Sequence, residues 1–174
     1  MDNIPIEARA YLSTGDSIAR AQLAQRYPDL TATLADPAVR AAVLAWLADD
    51  DAWNEANTHF TLNALRYLRS AAAPAEAQAI RPFLLHPQPS VRLAAYEFLL
   101  TLYYPDKNRE ALLQLLQNML SDSEDAIRAA GARYADQADV AAELRSFLLR
   151  WQKTAQGQGW ANTESFELVG RLLN

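Results

Sequence analysis

Glu55 and His59 stand four residues apart, the spacing at which two side chains share a helix face and could begin a metal site. Asp49-Asp50-Asp51 lies close by. A zinc ion wants three or four ligands, however, and the chain holds no cysteine and one further histidine, His86. The pair therefore reads as an ordinary polar contact on a wet helix, with no metal and no cofactor expected. There is no glycine-rich phosphate loop, no nucleophile elbow and no His-Glu-x-x-His helix. No catalytic residue is assigned, and the chain reads as a binding protein rather than an enzyme. A nucleobase-processing site would need a cationic groove and an aromatic pocket holding a carboxylate. Trp46, Trp53, Trp151 and Trp160 offer aromatics.

The arginines carry the clearest spacing. Val39-Arg40-Ala41-Ala42, Val91-Arg92-Leu93-Ala94 and Ile127-Arg128-Ala129-Ala130 repeat one pattern, with Trp46, Phe98 and Tyr134 each six residues after the arginine. Pro37, Pro89 and Asp125 each stand three before it. At about 100° per residue, the positions one before and two, three and six after the arginine share a stripe. Small residues there admit a neighbouring helix and the aromatic fills the space beyond. The arginine falls at the edge of that stripe, where it can hydrogen-bond carboxylates and turn carbonyls. Its expected role is structural.

The elements that must position these residues are helices. Ala and Leu dominate and the chain has only 5 Gly among 174 residues. Asp36-Pro37 supplies an N-cap and a first-turn proline, Gln88-Pro89 repeats the geometry, and Ser121–Asp125 offers several caps. Partner helices are expected over Ala75–Leu85 and Arg109–Leu120. Arg92 and Arg128 are 36 residues apart, a fitting length for a two-helix repeat, whereas Arg40 and Arg92 are 52 apart. A degenerate copy, Phe60-Thr61-Leu62-Asn63 with Tyr67, fills that gap but lacks both the arginine and the alanine. Its helix is expected from about Asp51 to Ser70. Further helices follow over Val140–Lys153 and about Asn162–Leu173, separated by a loop at Gln156–Gly159.

These residues resemble HEAT repeats, especially short bacterial HEAT-like units, in which an Asp- or Pro-containing turn leads into a helix beginning Val-Arg-x-x-Ala. Leu34–Arg40 and Leu120–Arg128 match well, while Leu84–Arg92 has His86 where Asp is common. The resemblance covers residues 28–137 directly. It implies an all-α fold, a short right-handed α-α superhelix of antiparallel helix pairs. One domain of 1–174 is expected, with 1–27 as N-terminal cap and 138–174 as capping helices.

Charge narrows the partner. The formal net charge is −5, and residues 1–60 alone hold nine acids against four arginines. Phosphate contacts need clustered positive charge, which argues against nucleic acid. Without an apolar span, a secretory start or a cysteine, a cytoplasmic protein away from membranes is expected. The HEAT resemblance implies a scaffold or adaptor that binds another protein. Alternatives are a toxin-neutralising immunity protein, suggested by small size, acidity and helical build, and a nucleobase enzyme, since some HEAT-like proteins are DNA glycosylases. The expected protein-binding surface combines apolar Leu62, Leu93 and Tyr96 with Arg66, Glu97 and Arg133.

Overall fold

Helix punctuation decides where each element begins. Asp36 accepts a hydrogen bond from Ala38 N (2.8 Å) and Pro37 occupies the first turn, starting α4 over Pro37–Leu47. Before it lie α1 (Ile6–Ser13), α2 (Ser17–Arg26) and α3 (Leu30–Ala35). After it come α5 (Thr58–Arg69), α6 (Ala77–Ile80), α7 (Pro89–Tyr103), α8 (Arg109–Leu120), α9 (Asp125–Gln137), α10 (Ala141–Gly157) and α11 (Glu164–Leu173). The structure is a computed structural model that describes residues 3–104 and 107–174, apart from the side chain of Ser17. Met1 and Asp2, with which the expected N-terminal cap begins, lie outside the described residues. Among the described residues every regular element is a helix.

The helix expected over Val140–Lys153 runs on to Gly157, into the loop expected at Gln156–Gly159, and two further elements differ more strongly. The helix expected from Asp51 starts instead at Thr58, after 3-10 turns over Asp50–Trp53 and Glu55–Asn57. Asp49 and Asn54 side chains take the N–H groups of Asp51 and Ala56, offering the backbone short turns in place of a continuous helix. Glu55 therefore does not share a helix with His59. The partner helix expected over Ala75–Leu85 breaks into a 3-10 turn at Pro74–Glu76, the single-turn α6, and 3-10 turns over Arg81–Leu85. Pro82 has no N–H for a helical bond.

The chain divides into two compact units, Met1–Leu99 and Leu100–Asn174, with the boundary inside α7. A single repeat domain was the expectation.

In the first unit α1 packs on α5 and α3, and α4 packs on α3 and α5. Trp46 meets Phe60 edge to face at 4.3 Å between centroids. Arg40 closes this unit. Its Nε and Nη2 donate to the two carboxylate oxygens of Glu76 (2.6 and 2.5 Å), and Nη2 also reaches Leu68 O (2.7 Å) at the end of α5. Glu76 is buried and accepts a further bond from Ala73 N.

In the second unit α9 packs between α8 and α11. Gly131 permits the first contact, because a Cβ there would stand 2.9 Å from Met119 Cβ. Trp151 donates its indole N–H to Leu120 O at 2.5 Å. Arg128 is 2% exposed and fully engaged. Nη1 donates to Asp122 O and Ser123 O (2.9 and 2.6 Å), Nη2 to Asp125 (3.2 Å) and Nε to Ser165 (3.3 Å). The Trp160 ring lies 3.9 Å from the guanidinium carbon.

Breaking the Arg40–Glu76 fork leaves a largely desolvated charge behind. Glu76→Gln should lower unfolding stability by about 2–4 kcal/mol, measured by urea denaturation. Arg40→Ala in the Glu76→Gln background should cost much less than Arg40→Ala alone.

Candidate functional site

A cleft of about 390 Å³ opens in the first unit among α1, α2, α3 and α5. Its polar floor is built on Asn63, buried at the alanine position of the degenerate copy. Its amide donates to Leu12 O (2.8 Å) and Thr14 O (3.0 Å), satisfying carbonyls at the end of α1. Its Oδ1 accepts from Arg20 Nη2 at 2.5 Å. The Arg20 guanidinium also lies over the Tyr11 ring, 5.0 Å from the centroid. Its Nε is buried and without an acceptor among the described residues.

The opposite wall comes from α5. Tyr67 donates to Leu34 O at 2.7 Å. Burial holds its phenol above the ordinary value, Arg40 opposing and Asp36 and Glu76 adding, so it is a fixed donor rather than a nucleophile. Arg66, one residue earlier, is exposed and has no hydrogen bond or carboxylate partner among the described residues. Two guanidiniums, two phenol rings and a buried amide thus meet in one concavity. Such a site can recognise and hold an anionic group.

The residues expected to form a docking surface take different roles. Arg66 lines the cleft. Leu62 and Leu93 are half-buried. Tyr96 is only 5% exposed, so it is a packed side chain and no surface anchor. Glu97 is engaged by Arg69 within the first unit. Arg133 belongs to the second unit and pairs with Glu164 at 2.5 Å. Both partners are exposed, so that pair contributes about 0–1 kcal/mol. Leu65, Leu100, Ala129 and Ala132 are buried as well, so α5, α7 and α9 are packed on both sides.

Arg20, Tyr11, Tyr67 and Asn63 were not foreseen as site residues. Asn63 carried a signal: a polar side chain where the repeat requires alanine. Of the tryptophans, Trp46 and Trp151 are buried and Trp160 lies over Arg128. Trp53 is 37% exposed and stacks on Phe83 and His86. None of them lines the cleft. No family model, curated protein or solved structure matches this chain. No helix among the described residues is long and apolar enough to cross a membrane.

His86 gives the first unit a titratable core group. It is 1% exposed, its Nδ1 accepts from Gln88 N (3.1 Å), and Nε2 has no acceptor among the described residues. Burial lowers its pKa below the ordinary 6.5, and the Arg92 charge acts the same way. The unfolded chain then binds the proton more readily than the folded one. The contribution is complete above the unfolded value and is lost as pH falls towards the folded one. The melting temperature should therefore drop between about pH 7 and pH 5, and His86→Phe should flatten that slope. Tyr96→Ala should cost about 3 kcal/mol in a denaturant titration, as for other truncated core aromatics.

Proposed function

We propose that this chain is a non-catalytic protein-binding module built on HEAT-like helix pairs, and that the first-unit cleft holds part of its partner. The observation that carries the binding reading is Arg66: an exposed guanidinium without an internal partner beside Tyr11, Tyr67 and the fixed Arg20. Arginine and tyrosine dominate protein-binding hot spots because each offers a large contact area and directed hydrogen bonds.

The HEAT-like reading draws support from the arginines. Arg92 donates to the carbonyls of His86 and Pro87, six and five residues before it. Arg128 donates to Asp122 and Ser123, again six and five before it. The same local clamp thus recurs at a 36-residue interval, as a repeated helix–turn–helix unit requires. Successive units of this kind stack as a right-handed superhelix in the proposed architecture.

Affinity capture from native extract, using the wild type beside Arg66→Ala, tests the binding reading. A specific protein should be recovered with the wild type and fall by about tenfold with Arg66→Ala, while the helical circular dichroism spectrum stays unchanged. Equal recovery by both proteins would place the binding surface elsewhere.

A further inference from the structure

We infer that the Arg20–Arg66 cleft is a carboxylate site, and that its ligand is the glutamate or aspartate side chains of a short acidic segment of the partner. This rests on the cleft being the protein-binding surface.

The charges around the cleft motivate the choice. No acidic residue lines it, and neither Arg20 nor Arg66 has a carboxylate partner among the described residues. Elsewhere in the same unit Arg40 is matched by Glu76 and Arg69 by Glu97. Two uncompensated cations in one concavity attract an anion more strongly than either does alone.

Arg20 is also oriented before any ligand arrives. Asn63 holds one edge, the Tyr11 ring supports one face, and Asn63 is itself fixed by two carbonyls. A fork held this way loses little freedom when it accepts a carboxylate. Arg66, exposed and unanchored, can swing over a ligand and close the clamp.

The walls favour protein over a free polyanion. Tyr11, Tyr67 and Leu34 offer apolar surface for the methylenes of a glutamate stem. At about 390 Å³ the cleft admits a few side chains. The net −5 of residues 1–60 repels a long nucleic acid, whose charge extends well beyond the site, more than it repels a short segment.

The test is fluorescence anisotropy with labelled hexaglutamate, with hexaglutamine as control and inorganic phosphate and a single-stranded DNA oligonucleotide as competitors. Saturable binding of hexaglutamate, weakened by salt and absent for hexaglutamine, is expected. Arg66→Ala should weaken it about tenfold or more, and Arg66→Lys should restore part of the loss. Ser70 is exposed at the cleft rim, so Ser70→Glu should abolish binding without altering the helical spectrum. Equal binding of both peptides, or indifference to Arg66→Ala and Ser70→Glu, overturns the carboxylate assignment. If hexaglutamate fails while a captured partner still depends on Arg66, this inference falls and the protein-binding reading stands. Displacement of hexaglutamate by phosphate or the oligonucleotide at tenfold lower concentration than unlabelled hexaglutamate requires would overturn both.

Discussion

A chain that reverses direction between two packed helices exposes turn carbonyls that no backbone N–H can reach. Burying them unpaired would cost about 1–3 kcal/mol each. The repeated arginine answers this constraint by folding back on its own turn, as Arg92 does at His86 and Pro87 and Arg128 at Asp122 and Ser123. One planar cation satisfies two carbonyls and fixes the angle at which the second helix leaves. Where that clamp is buried, its charge needs further support. Asp125 supplies it for Arg128: burial opposes ionisation, but hydrogen bonds from Ser165, the Arg128 charge and Thr163 hold its carboxyl below the ordinary range.

Earlier in the first unit, around α4 and α5, the same constraint is met by other means. Arg40 turns away from its own turn to Glu76 and Leu68 O, and Asp36 caps α4 instead. In α5 the arginine position is Thr61, whose hydroxyl donates to Ala52 O (2.8 Å) and shares Asn57 O (3.1 Å). A shorter side chain reaches nearer carbonyls. The loss of the arginine there accompanies the replacement of a helix start by 3-10 turns.

Periodicity made the helices legible because apolar stripes and caps are local properties. Arg109–Leu120 is a helix over those residues, and Asp36 caps where its position demands. Breaks were harder: Pro82 lies inside an apolar run whose periodicity is intact, and Asp49 and Asn54 compete for backbone donors only once the turn exists. The cleft was largely illegible. Arg20 and Asn63 are 43 residues apart, and nothing near Arg20 in sequence marks it. Tyr96 misled for a related reason. A tyrosine opposite one apolar stripe is a surface residue only if no second layer covers it, and α7 is covered on both sides.

Three residues after each arginine stand Val43, Ala95 and Gly131. In the last of these the neighbouring helix has come so close that even a methyl group would collide with Met119. A side chain with no atoms to spare is also one with no room to vary: any residue larger than glycine at 131 would have to wedge α9 away from α8, so the width of that joint is written into a single hydrogen atom.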